Sequence, residues 1–436
     1  MLKETLIGDI QIDRISKRLD LLAQIGGSPE RGITRLAFTE EDSQARDLVA
    51  NWMREAGLTV SSSPIGNIIG RLEGAEPSAK VVMAGSHIDT VYSAGRFDGT
   101  LGTIAALEAI QVISESHAKL RHPLETVCFM MEESARFGVG YAFGSKVMIG
   151  QPISDEALLA RDRTGKTLAR AIYETRQREV GNLPKMGGTR QLVSFAQSLI
   201  GESRYPVKRI KAFVELHIEQ GPILEARGVS VGAVTAIAAP TRLRVTLTGV
   251  QNHSGTTPMA LRHDALATAA EIILAVERIA KATDDVVGTV GIIEAEPNSM
   301  TAIPGRVRIT IDLRSTNGES KMKANRAIQE EIQRITNWRE VEYQIDVLTD
   351  ELPQPLAEHI AQLIEENSLR LGITSMRLPS GAGHDAAQLA KVVPETGMIF
   401  VPSRSGISHN PQEWINESEI LKGTQVLLST LLDLAE

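Results

Sequence analysis

The sequence predicts an α/β protein in which a small β-α-β-β-α-β domain interrupts a larger, discontinuous one. Near the N-terminus, short apolar runs alternate with helix-like segments; from about residue 241 to residue 346 the strands become half polar; after that the first style resumes. At 436 residues the chain is also too long for one ordinary core, which implies two or three domains. The expected division is 1–237 with 350–436, and 238–349 as the insertion.

In chain order, helix "EDSQARDLVANWMREAG", strand "VVMAGSH", helix "TLGTIAALEAIQVISES" and strand "ETVCFMM" form βαβ units, whose natural product is a largely parallel sheet covered by helices. Functional side chains gather at the carboxyl ends of such strands. The insertion begins with strand "TRLRVTLTGV" and helix "DALATAAEIILAVERIAKA". Strands "VGTVGIIEAEP" and "RVRITIDLRS", helix "ESKMKANRAIQEEIQRITN" and strand "VEYQIDVL" complete it. Its alternating apolar and polar residues suit antiparallel strands with one solvated face. Afterwards "MRLPSGAGHDAAQLAKVV" and "TGMIFVPS" return to the parallel style.

Composition excludes several classes. A net charge of -8 without a basic stripe argues against nucleic-acid binding. The N-terminus is charged throughout, unlike a signal peptide, and no apolar run approaches a membrane span, so a cytoplasmic protein is expected. The one cysteine, Cys128, lies inside an apolar strand and reads as a buried, inert thiol.

The chemistry is carried by separated pieces. In "FMMEESARFG" an apolar strand runs into Glu132 and Glu133, whose side chains would point to opposite faces of the strand end. A solvated strand end is the bland alternative, and the pair gains meaning only from its company. "GSHIDT" supplies His87 and Asp89, "GRFDGT" supplies Asp98, "VELHIEQG" supplies His217 and Gln220, and "GISHNP" supplies His409. Three neutral imidazoles and two carboxylates near strand ends suit a pair of divalent transition ions with one bridging carboxylate. Such ions activate a water and polarise a carbonyl. Glu133 would be a ligand and Glu132 the general base. Asp89 would accept the other ring N–H of His87 and fix its tautomer.

These stretches, with "NHSGTTPM", "SGAGHDA" and "GMIFVPSRSGISHNP", resemble the amidase, hydantoinase/carbamoylase group of di-metal amidohydrolases, relatives of the zinc aminoacylases and carboxypeptidases, over nearly the whole chain. The resemblance implies a di-zinc peptidase-like catalytic domain with a ferredoxin-like lid and dimerisation insertion. It implies that His87, Asp98 and His217 hold one metal, and that Asp98 bridges to a second held by Glu133 and His409, the ions being zinc, manganese, cobalt or nickel. Glu132 matches the base. His217 stands where related aminoacylases carry a carboxylate, which favours ureido over peptide substrates. His253 of "NHSG" would stabilise the oxyanion in the partner subunit's site, although an exposed turn residue is its plainer reading. Gln220 and Arg314 match substrate-holding positions, with Arg314 suited to a bidentate grip on a carboxylate or, alternatively, a surface charge. His384 lies in a Gly-rich loop able to approach a ligand, or serves structurally through Asp385.

Two departures stand out. Thr301 replaces an asparagine common in the family thirteen residues before the substrate arginine, with Asn298 a candidate to compensate. Ser134 stands where many relatives have glycine. The expected activity is hydrolysis of a linear ureido group, of N-carbamoyl-L-amino acid or allantoate type, by a homodimer. The rivals are an aminoacylase or dipeptidase on the same scaffold and a ligand-binding protein that has lost catalysis. "GVGYAFG" has the wrong spacing and setting for dinucleotide binding.

Overall fold

The computed structural model describes residues 2–28 and 30–436. It resolves into two compact units, Met1–Thr235 with Leu356–Leu378 and Gly383–Glu436, and Ala236–Pro355 with Pro379–Ala382.

The first unit is built on a mixed sheet. Its strands run in the order Val231–Ile237, Thr396–Val401, Ile210–Ile218, Val81–His87, Leu124–Phe129, Ile68–Leu72 and Thr59–Ser62. The four strands from Thr396–Val401 to Leu124–Phe129 are mutually parallel, and the flanking pairs are antiparallel. The central four are buried nearly throughout, as their apolar runs require when helices cover both faces. Helix Thr100–Glu115 is buried from Thr100 to Ile113 and packs on strands Val81–His87 and Ile210–Ile218 and on helix Glu417–Ala435. Gly102 permits this approach, since a Cβ there would lie 2.1 Å from the Leu216 carbonyl oxygen. A second apolar cluster, including Phe38, Met130, Phe143, Leu168, Ile172 and Ile200, supports the chain after the Glu132–Glu133 pair.

The second unit holds four antiparallel strands, Ala239–Thr248, Val286–Glu296, Arg306–Ser315 and Glu342–Asp350, in spatial order second, third, first, fourth. With helices Ala265–Ala282 and Gly318–Arg339 in the two crossovers, this is the ferredoxin-like arrangement the sequence pattern implies. Burial alternates strictly along Arg306–Ser315, and Val307, Ile309, Ile311 and Leu313 join Leu243, Val245, Ile272, Val276, Ile328 and Ile332 in the core. Asp264 and Asn317 cap the two helices through their side-chain oxygens. No helix among the described residues is long and apolar enough to cross a membrane.

Candidate metal centre

His87 ends strand Val81–His87 and His217 is next to last in Ile210–Ile218; because these strands are parallel neighbours, the two rings emerge at the same sheet edge, 6.0 Å apart. Asp98 reaches the same place from the loop before helix Thr100–Glu115. Its Oδ1 lies 3.2 Å from His217 Nε2 and 3.9 Å from His87 Nε2, and its Oδ2 lies 3.2 Å from His409 Nε2. Glu133 Oε1 is 3.3 Å from His409 Nε2, and Glu132 Oε2 is 3.8 Å from His87 Nε2. The neighbouring Gly99 has φ +62, and a Cβ there would sit 2.2 Å from His87 Nε2, so the loop that delivers Asp98 requires glycine.

Among the described residues, candidate ligand atoms converge in three groups: His87 with Asp98 and His217, Asp98 with Glu133 and His409, and Glu215 with His217 and His384; Asp98 belongs to the first two. The donor set fits two divalent ions. Glu132 Oε1 and Glu133 Oε1 are buried with no well-directed hydrogen bond, although Glu133 lies close to His409, and buried carboxylates left so call for cations. Burial, then the charge of Glu133, raises the Glu132 carboxyl well above the usual range; burial and Asp98 raise Glu133. Burial acts against ionisation of Asp98, but its bonds with His217 and His409 outweigh it and hold this carboxylate well below its ordinary value. His409 is pushed up to about 11 by Asp98 and Glu133; His217 rises to about 9, its bond to Asp98 prevailing over burial. These shifts describe an acid-rich basin in which a carboxylate shared between two imidazoles is the charge centre.

The structure corrects two details of the expected arrangement. The apolar strand ends at Phe129, so Glu132 and Glu133 lie on the following turn, where Met131 and Ser134 both have φ +53, and strand alternation is not what separates them. The Asp89 carboxylate does not take the His87 ring N–H. His87 Nδ1 lies 3.0 Å from the Asp89 backbone carbonyl and 3.6 Å from its Oδ1, while the carboxylate accepts the backbone N–H groups of Glu132 and Glu133 at 3.0 and 3.2 Å. Asp89 thus serves both positions: its carbonyl fixes the His87 tautomer and its side chain anchors the glutamate turn. His217 is set likewise by its Nδ1 contact with the Ile218 carbonyl, 2.9 Å.

Around this centre, Gln220, at φ +57, donates to Asp98 Oδ2 at 2.7 Å. His384 is buried, its ring edge-on to His217 at 4.6 Å and near Phe400 at 5.7 Å, and burial holds it well below the ordinary imidazole range. The adjacent Asp385 carboxylate accepts the Ser145 hydroxyl. Three participants escaped sequence reading. Glu215, two residues before His217 on the same strand face, accepts from Ser86 Oγ and from the Ala386 amide. Ser408 donates to Asp98 Oδ2 at 2.7 Å, and Glu413 accepts the amides of Phe97 and Asp98. An acid four residues after His409 was the one available signal for Glu413. Cys128 is buried and its thiol is pushed up to about 11 by burial, as an inert cysteine should be.

The remaining expected residues lie on the second unit. Asn252–His253 pairs with Ala302–Ile303, and the Ser254 amide donates to the Thr301 carbonyl, so Thr301 is a neighbour of His253. His253 is exposed, and its Nδ1 accepts the amides of Gly255 and Thr256 at 3.0 and 3.2 Å; the neutral ring therefore carries its proton on Nε2. Asn298 is exposed with φ +53. Arg314 is held in a fork by Asp312, Nε to Oδ1 at 2.9 Å and Nη2 to Oδ2 at 3.2 Å, and Nη1 donates to the Gly381 carbonyl.

Comparison with known proteins agrees with this geometry. The profile of Peptidase family M20/M25/M40 matches residues 83–433. An N-carbamoyl-L-amino acid amidohydrolase of Geobacillus stearothermophilus is 41% identical over 427 residues, spanning 98% of this chain and 99% of the relative. An allantoate amidohydrolase of Bacillus subtilis is 35% identical, spanning 97% of each. The crystal structure of an amidase of the hydantoinase/carbamoylase family from Burkholderia multivorans superposes with a TM-score of 0.84 at 33% identity, covering 98% of both chains. The chain therefore belongs to Peptidase family M20/M25/M40, a family of dinuclear metal-dependent hydrolases, and within it to the hydantoinase/carbamoylase amidases.

Proposed function

We propose that this protein hydrolyses the linear ureido group of an N-carbamoyl-L-amino acid or of allantoate. The supporting observation is the shared carboxylate of Asp98, with one oxygen toward His217 and the other toward His409, in a chain that carries histidine at position 217. His87, Asp98 and His217 would hold one divalent ion and Asp98, Glu133 and His409 the other, with zinc, manganese, cobalt and nickel all suited to such donors. When bound, the ion pair acidifies a water and polarises the ureido carbonyl.

The chain's own residues do the rest. Glu132, buried beside His87, takes the proton of the attacking water as oxygen bonds to the ureido carbon. Glu132 then returns that proton to the departing nitrogen as the first C–N bond breaks, and the carbamic acid left behind splits its remaining C–N bond without further water, so that one water yields the free amine, ammonia and carbon dioxide. His253 carries its proton on Nε2 and is thereby a donor for the developing oxyanion, in our reading that of the partner subunit of a homodimer assembled through the second unit. Arg314, set in its fork by Asp312, is the second unit's group suited to grip the substrate carboxylate, with Asn298 and Thr301 its other candidate substrate contacts; Gln220 and His384 are those of the first unit.

The test is ammonia release by manganese-loaded enzyme from allantoate, N-carbamoyl-L-amino acids and ureidoglycolate, alongside amine release from N-acetyl-amino acids and dipeptides. Ammonia from ureido compounds alone is expected. Amine release confined to N-acyl or peptide substrates would replace this reading with an aminoacylase or dipeptidase.

A further inference from the structure

Asp98 and His409, far apart in sequence, are tied together by one buried acid. The side chain of Glu413, 2% exposed, places Oε1 2.8 Å from the Phe97 amide and 3.2 Å from the Asp98 amide, while Oε2 lies 3.1 Å from Ser408 Oγ. Ser408 Oγ is itself 2.7 Å from Asp98 Oδ2. The Glu413 side chain also fills the space above Gly95, where a Cβ would lie 2.3 Å from its Oε1. One carboxylate therefore fixes the backbone that delivers Asp98 and, through Ser408, the residue adjoining His409.

We propose that Glu413 is a positioning residue of the metal centre, and that it governs the ion held by Asp98, Glu133 and His409 far more than the ion held by His87, Asp98 and His217. This rests on the two-ion assignment above. The asymmetry follows from how the ligands are mounted. His87 and His217 lie within buried parallel strands whose ladders hold their backbones, and each ring is set by a backbone carbonyl one or two residues on. His409 lies in a loop at φ +54, with its side chain 48% exposed, and Ser408 and Glu413 connect that loop to Asp98. Groups that orient ligands in this way typically affect metal affinity about 10–100-fold.

The experiment is competitive titration of manganese and zinc against a chromophoric chelator, without substrate, on the full chain. His87→Ala and His409→Ala proteins identify which dissociation constant belongs to which position. Glu413→Ala should weaken the His409-side ion about 10–100-fold and leave the other within about threefold. Glu413→Gln should fall between, since its amide oxygen still accepts both backbone N–H groups but the negative charge of the carboxylate is lost. Ser408→Ala should weaken the same ion, and it carries the test with Glu413→Gln if the alanine variant at 413 does not fold. Unchanged constants, or equal weakening at both positions, would overturn the proposal. Because no turnover is measured, an enzyme that binds two ions this way yet ignores ureido compounds would refute the substrate reading and leave this inference intact.

Discussion

His87 and His217 are delivered by strands buried on both faces, whereas Glu133 and His409 are delivered by loops, and only Asp98 serves both groups. The strand-borne half inherits its geometry from a hydrogen-bonded ladder. The loop-borne half has to be assembled from individual contacts: Asp89 on the amides of Glu132 and Glu133, and Ser408 with Glu413 between Asp98 and His409. The candidate ligand residues thus differ in what holds them, and under the proposed two-ion reading they should differ in how easily their ions are lost.

Breaking the shared element should have the largest effect. Asp98→Ala removes a ligand from both groups, and metal analysis should find neither ion retained after dialysis, with turnover down at least about 10³-fold, given the several kcal/mol that bound metal contributes. Glu132→Gln sharpens the contrast from the other side. It should keep both ions while kcat falls about 10²–10⁴-fold, because an amide cannot accept the water's proton. Stepwise chelation should next separate the halves: metal content should pause near one ion per chain as the His409-side ion leaves first, and simultaneous loss would contradict the asymmetry. Equal mixing of His253→Ala and Glu132→Gln proteins should restore about a quarter of wild-type activity, since half the dimers are mixed and each holds one intact site. No recovery after verified subunit exchange would place His253 in its own chain's site.

The smallest effect concerns Ser134. It sits on the glutamate turn at φ +53, buried, with an unbonded hydroxyl. That conformation explains why glycine suits this position. Ser134→Gly should raise the urea midpoint, by about 1 kcal/mol of stability, and leave kcat within about twofold.

The parts legible in the sequence were those governed by periodicity or by ligand chemistry. Continuous apolar runs placed the parallel strands that carry His87 and His217, and strict alternation over 306–315 marked the half-buried strands of the second unit. The histidines and carboxylates stood out as candidate metal donors. What connects them did not. Strand alternation could not show that the chain turns at Met131 before reaching Glu132, because a positive φ at a methionine has no sequence signature. Nor could residue type reveal that Asp89 uses its carbonyl for His87 and its carboxylate for two amides, or that Glu413 reaches back to Asp98. Those roles depend on long-range closure of loops, where an acid looks like any other acid.

The most direct measurement is anomalous diffraction from crystals of the manganese-loaded protein. The account predicts two peaks per chain, about 3.5–4 Å apart, both within bonding distance of Asp98, one beside His87 and His217 and the other beside Glu133 and His409. A single peak, or two peaks of which only one touches Asp98, would contradict it.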